Sequence, residues 1–192
     1  MSAGSPIGDW QVVSLEDVEP RPWRNGGGLT RELLAWPHAS EWRVRISIAD
    51  IERDGPFSHF PAAERWFAVL QGKGVQLTVG GGRQQLTPAS NPFCFSGNAE
   101  VDCELLDGPT RDFNLMTLPG AGRLLRVQDD AHVGVIRART LVAGYAPRGG
   151  SIAVYDEYVL DLAPETLVWR LLEQEGPMVL EGDGAMWVEV RL

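Results

Sequence analysis

At 192 residues, 44% hydrophobic and 22% charged, the chain has the composition of a soluble globular protein long enough for one large domain or two small ones. Its net charge of −9 argues against nucleic acid as the main partner, because phosphate binding needs a basic surface. No apolar run approaches the roughly 18 residues of a membrane-spanning helix.

Residues 1–9 lack a basic segment followed by an apolar one and read as a loose tail, not a signal peptide. From Trp10 onward almost every periodic segment has period two. Residues 10–13 form an apolar strand. Glu19-Pro20-Arg21-Pro22 breaks the chain, and residues 23–28, Trp-Arg-Asn-Gly-Gly-Gly, form a loop. A strand over 30–35 precedes the cleanest alternation, 42–51. There Trp42, Val44, Ile46 and Ile48 share one face, and Arg43, Arg45, Ser47 and Ala49 share the other.

Gly55-Pro56 supplies a turn carrying Phe57, Ser58, His59 and Phe60 at its tip. The strand over 65–70 is apolar on both faces apart from Arg65. An arginine there needs an anion, a carboxylate or a ligand, since an unpaired buried charge is very costly. Residues 75–79 and 83–86 form a hairpin across Gly80-Gly81-Gly82. A short strand covers 93–95. Segments 101–106 and 112–118 read as a second hairpin across Asp107-Gly108-Pro109. Cys94 and Cys103 then lie on neighbouring strands, and free thiols in a cytoplasmic protein are expected.

Pro119-Gly120-Ala121-Gly122 marks the boundary between an amino-terminal half, 10–118, and a carboxy-terminal half, 119–192. Strands are expected in the latter over 124–128, 133–142, 151–162, 166–172, 178–180 and 185–190. No three-turn helix is expected up to residue 118. Short strands with Gly/Pro turns point to an all-β sandwich or barrel, its halves packed together.

His38, His59 and His132 are scattered and carry no partners at ligand spacing, so neither a metal nor a cofactor is expected. The chain lacks a GxSxG elbow and a P-loop lysine. No helix follows glycines 26–28, so they serve a sharp turn and not a phosphate cradle. What remains is a set of groups placed against apolar strands: Asn25, Arg43, Arg45, Ser47, Phe57, His59, Phe60, Arg65, Asp112 and Asn114. In a curled sheet some of these line an interior fit for a small ligand. Each has a structural alternative. Arg43 and Arg45 suit a solvated face, Arg65 an internal pair with Asp112, His59 a loop hydrogen bond, Phe57 and Phe60 core plugs, and Asn25 a cap on its own turn.

Four ordered stretches, WRNGGGLTREL (23–33), WRVRISIADI (42–51), GPFSHFPAAERWFAVLQG (55–72) and DFNLM (112–116), resemble the HutD/Ves family. That family carries W-[KR]-N-G-G-G, R-x-S-x-A, G-x-F-S-x-F-P and D-x-N-x-M in this order. The resemblance implies a cupin fold duplicated within one chain, a bicupin of two packed antiparallel barrels or jelly rolls. Where metal-binding cupins carry Gly…His-x-His…Glu…Gly, this chain has His59 at the first histidine, Pro61 at the second and Arg65 at the glutamate. The later cupin histidine, expected near 93–95, is missing. A carboxylate has become a cation, which turns the site towards anions.

The family accompanies histidine-utilisation operons, in which histidine is degraded through urocanate and formylglutamate-type acids; its Ves branch is linked to stress responses. The resemblance implies a metal-free protein that binds such an acid through Asn25, Arg45, Ser47, Phe57, His59, Phe60, Arg65, Asp112 and Asn114. Asp112 would orient an arginine, and the output would run through a protein partner. A rival reading is a metal-independent enzyme with His59 as base and Asp112 orienting it. A third is a protein–protein module. The carboxy-terminal half reads as structural, with a surface for a second copy of the chain.

Overall fold

The period-two patterning is realised as strands throughout a computed structural model that describes residues 10–128, 131–149, 151–155 and 158–192. The tail expected over 1–9 lies outside these residues. In chain order the early strands are β1 (Gln11–Ser14), β2 (Arg21–Pro22), β3 (Gly28–His38), β4 (Glu41–Ile51) and β5 (Gly55–Pro56). There follow β6 (Glu64–Gln71), β7 (Val75–Val79), β8 (Gly82–Leu86), β9 (Phe93–Ser96), β10 (Val101–Leu105) and β11 (Thr110–Thr117). The later strands begin with β12 (Gly122–Arg126), β13 (Ala131–Ile136), β14 (Thr140–Ala146) and β15 (Ser151–Tyr155). They end with β16 (Tyr158–Leu162), β17 (Thr166–Leu172), β18 (Gly176–Glu181) and β19 (Met186–Arg191). The one helical element among the described residues is a 3-10 turn at Leu15–Asp17, and no helix is long and apolar enough to cross a membrane.

The chain divides into two units, residues 19–120 and residues 10–18 with 121–192. In the first, an antiparallel six-stranded sheet ordered β2-β3-β4-β11-β6-β9 accompanies a four-stranded sheet ordered β5-β10-β7-β8. Their core joins Ala49, Ile51, Phe67, Val69 and Phe95 from one sheet to Val75, Leu77, Leu86, Val101 and Cys103 from the other. In the second unit a five-stranded sheet ordered β1-β17-β14-β19-β12 accompanies a four-stranded sheet ordered β13-β18-β15-β16. Its core is filled by Trp10 and Trp187, both fully buried, with Val142, Val168, Met178 and Leu180. The run β4-β11-β6-β9 with β5-β10-β7-β8 recurs as β12-β19-β14-β17 with β13-β18-β15-β16, every strand moved along by the same step. One topology is therefore written twice.

Three expectations need correction. The boundary at 118/119 misplaces β1. It pairs with β17 from Gln11↔Trp169 to Ser14↔Thr166, and the Leu15 amide donates to Glu165 O at 2.9 Å, because Trp10 finds its apolar surroundings in the carboxy-terminal core. The hairpin of 101–106 with 112–118 does not form: β10 pairs with β5 and β7, whereas β11 pairs with β4 and β6. β11 is buried on both faces and takes an interior position in its sheet, while β10 alternates buried Val101 and Cys103 with exposed Asp102 and Glu104, which suits a sheet with one wet face. Cys94 and Cys103 accordingly lie in different sheets, and both are free. Finally, 133–142 splits into β13 and β14 just before Thr140, where Arg139 takes the left-handed φ of 59°.

Candidate functional site

The glycine loop frames one wall of the 19–120 unit. Gly26 adopts φ 68°, its amide donates to Trp23 O at 3.0 Å, and the Trp23 amide donates to Gly28 O at 2.9 Å. A Cβ on Gly28 would stand 2.3 Å from Asp50 O, so only glycine lets β3 close on β4 here. The Gly27 amide donates to Asn25 Oδ1 at 3.0 Å, and Trp23 Nε1 donates to Thr30 Oγ1 at 2.7 Å. These bonds hold Trp23, Arg24 and Asn25 along one side of a cavity of about 540 Å³.

Strand alternation supplies the other walls. β4 contributes Arg45, Ser47, Ala49 and Ile51; β11 contributes Asn114 and Met116; β6 contributes Arg65 and Phe67. The tip after β5 adds Phe57, Ser58 and Phe60. In register, Arg65 lies opposite Met116, which lies opposite Arg45, so the two arginines flank β11.

Arg65 is 7% exposed, and no carboxylate pairs with it among the described residues. Its Nη1 donates to Ser58 O at 3.1 Å, while its Nε has no partner. Its Cζ stands 5.1 Å from the ring centres of Phe57 and Phe95 and 5.5 Å from that of Phe60, within cation–π range. Burial, and then the neighbouring Arg45 charge, lower its pKa to about 10, so it remains a cation at neutral pH. Arg45 is more open. Its Nε donates to Glu32 Oε2 at 2.6 Å, and its Cζ lies 5.6 Å from the Phe60 ring.

Asn25, Arg45, Ser47, Phe57, Phe60, Arg65 and Asn114 thus line one cavity, while His59 and Asp112 do not. His59 is exposed at the loop tip. Asp112 faces inward with Asn114 but is fully buried further along β11, between Ala49 and Val69 on the neighbouring strands. Its Oδ2 accepts the Thr110 hydroxyl at 2.7 Å and its Oδ1 has no partner. Burial raises its pKa well above the carboxylate range, only partly opposed by Thr110. Neither the expected Arg65–Asp112 ion pair nor a His59–Asp112 hydrogen bond is formed, and the arginines bond to Ser58 and Glu32 instead. Arg43 is exposed.

Sequence reasoning missed Arg21 and Arg24, exposed residues that bring two more guanidiniums to the cavity. The WRNGGG motif pointed to their neighbourhood, but only the folded loop turns them to this side. It also missed Ala49, Phe67 and Met116, which plain period-two continuation of β4, β6 and β11 would have found. No group of three or more His, Cys, Asp or Glu is placed to hold a metal ion among the described residues.

A model of the HutD family matches residues 15–185. An uncharacterized 21.2 kDa protein in the hutC 3′ region of Pseudomonas putida is 40% identical over 111 residues, 57% of this chain and 58% of that protein. The match thus spans less than two thirds of that relative's length. Protein Ves of Cronobacter sakazakii is 35% identical over 178 residues, covering 90% of this chain and 86% of its own. Among solved structures, HutD from Pseudomonas fluorescens SBW25 superimposes with a TM-score of 0.81 at 30% identity, covering 95% of this chain and 98% of that one. Oxalate decarboxylase of Lactobacillus farciminis shares the fold alone, with a TM-score of 0.64 at 9% identity, over 98% of this chain and 88% of its own.

Proposed function

The chain belongs to the HutD family, and from that premise we propose that its 19–120 unit binds a small carboxylic acid of the urocanate or formylglutamate type and so moderates histidine utilisation. The fold is all-β and cupin-like, and the P. putida relative's place in the hutC 3′ region ties the family to histidine utilisation. In this reading the repeated topology is that of a bicupin whose 19–120 half holds the binding cavity, and the protein is a sensor and not an enzyme.

The observation that carries the proposal is Arg65: a buried guanidinium with an unpartnered Nε in a cavity wall. Leaving a cation uncompensated in the interior is unfavourable, and an incoming carboxylate would relieve that penalty with a two-pronged pair. Arg45 would take a further oxygen. Asn25, Ser47 and Asn114 would read amide, formyl or ring-nitrogen groups, and Phe57 and Phe60 would flank the bound acid. A divalent cation does not fit this site, since arginines stand where a metal centre would need carboxylates or imidazoles. The output of the bound state would pass to a protein partner.

Calorimetric titration of chelator-treated protein with urocanate, formylglutamate, glutamate and histidine tests the proposal. Saturable binding of one of these acids, lost in Arg65→Ala with the fold retained, is the expected result. No binding to any of them, or binding unchanged in Arg65→Ala, overturns it.

A further inference from the structure

Met116 stands between the two arginines of the cavity. Its backbone lies opposite Arg65 on one neighbouring strand and opposite Arg45 on the other. Its side chain forms part of the cavity wall, and its Sδ accepts Arg45 Nη1 at 3.9 Å. A thioether sulfur is a weak acceptor. On the other side, Arg65 is 7% exposed and its Nε has no partner. Two cations thus flank a sulfur that oxidation converts from an apolar group into a polar one.

Met116 is 4% exposed, but the cavity it borders, of about 540 Å³, has ample room for hydrogen peroxide, a molecule little larger than water. Met178 and Met186, the other methionines among the described residues, are fully buried and line no part of this cavity. The thiols compete poorly, because the thiolate is the form that peroxide attacks. Burial, with the nearby Glu64 charge, pushes Cys94 up to about 11. Burial, with Asp112 beside it, pushes Cys103 up to about 12. Both thiols therefore keep their protons at neutral pH, whereas a thioether needs no ionisation to react.

We infer that Met116 is a site of oxidation by hydrogen peroxide, and that its sulfoxide oxygen closes the cavity to anions by pairing with Arg45 and Arg65. A sulfur lone pair attacks one peroxide oxygen and the O–O bond breaks. The departing hydroxide takes the proton left on the sulfur-bound oxygen and leaves as water. Sulfur is oxidised by two electrons and peroxide is reduced by two. The new oxygen carries most of the negative end of the S–O dipole, and it can accept from Arg45 Nη1 and from the orphaned Arg65 Nε. Sulfoxide formation in an apolar interior is disruptive, whereas here the oxygen meets donors in waiting. The loss of acid binding rests on the binding reading proposed above; the modification and its new hydrogen bonds do not.

Treatment of the full chain with hydrogen peroxide, followed by peptide mass analysis, is the first test. Met116 should gain one oxygen at a rate within about tenfold of that in the urea-unfolded chain, while Met178 and Met186 lag by about a hundredfold or more. The chain oxidised at Met116 should melt as high as the untreated chain or higher. Peroxide should change neither the melting temperature nor the acid affinity of Met116→Leu. Titration of the oxidised chain with urocanate, formylglutamate, glutamate and histidine should show any acid that the untreated chain binds held about tenfold more weakly or not at all. If the untreated chain binds none of them, the binding reading fails, and oxidation rates and melting curves still decide this inference. Protection of Met116 equal to that of Met178 overturns it. So does a fall in melting temperature on oxidation that Met116→Leu escapes, or acid binding that survives full oxidation of Met116.

Discussion

Arg45 and Arg65 share one aromatic ring: the Phe60 centroid lies 5.6 Å from the first guanidinium carbon and 5.5 Å from the second. Two like charges in one cavity repel, and an aromatic ring within cation–π range of both is a neutral group that attracts each. In the proposed binding reading, this ring keeps the two cations beside one space that a carboxylate would enter.

Phe60 is half-buried and lies outside the core, so Phe60→Ala should leave the fold in place. Each lost cation–π contact is worth about 0.5–1 kcal/mol at a partly exposed site. Both contacts exist in the ligand-free chain, so their loss should lower the unfolding temperature by about 2–8 °C, and affinity for the acid should fall about fivefold or more as the two guanidiniums lose their positioning. Titration calorimetry beside a thermal melt separates the two effects, and a large drop in melting temperature with unchanged affinity would refute this role.

Arg65→Met should move stability and binding in opposite directions. The thioether side chain fills much of the same volume and removes a buried charge that has no ionic partner. The ligand-free protein should gain about 1 kcal/mol, which for a chain of this length is about 2–4 °C in melting temperature. Acid binding should disappear. A destabilised variant would show that the three phenylalanine contacts outweigh the penalty of burying the guanidinium.

Asp112 predicts a pH dependence of stability. Its folded pKa lies above its unfolded value, so between the two the folded chain holds a proton that the unfolded chain has released. This lowers stability as pH rises above the ordinary carboxylate range and has no effect below it. Asp112→Asn cannot ionise and should melt higher than the native protein at pH 8, the gap closing as pH falls to about 4. Melting curves across that range decide the matter, and a gap that ignores pH would place Asp112 in its charged form.

Glu32 neutralises Arg45 at 2.6 Å in a half-open position. Glu32→Gln removes a negative charge beside the cavity, and acid binding should tighten about twofold to fivefold at low salt, a gain that shrinks as salt screens it. Weaker binding would mean that the carboxylate matters by holding Arg45 in place.

How far the site could be read from the sequence depended on the range of the interactions that build it. Arg45 and Ser47 were legible because a single strand's period fixes which residues share a face. The same rule correctly put Asp112 beside Asn114 but was silent on depth, and a step of two residues separates a cavity wall from a sealed interior. His59 misled because it belongs to a loop motif whose Phe57, Ser58 and Phe60 line the cavity while it faces solvent. Partnerships between distant strands were the least legible. Nothing local to residues 101–118 says that β10 and β11 serve different sheets; only the burial of both β11 faces does, and that requires the fold.

The pairing of β1 with β17 also orders events during synthesis. Residues 19–120 contain all the strands of the cavity-bearing unit and can fold as soon as they leave the ribosome. The first strand, already emerged, must wait for a partner translated near the end of the chain. By then the intervening segment is a folded body, which holds the waiting strand closer to its partner than an open loop of that length would. A fragment cut after residue 120 would keep β1 with an apolar face and no partner, so solubility of a truncated chain should improve when residues 10–18 are removed with the rest.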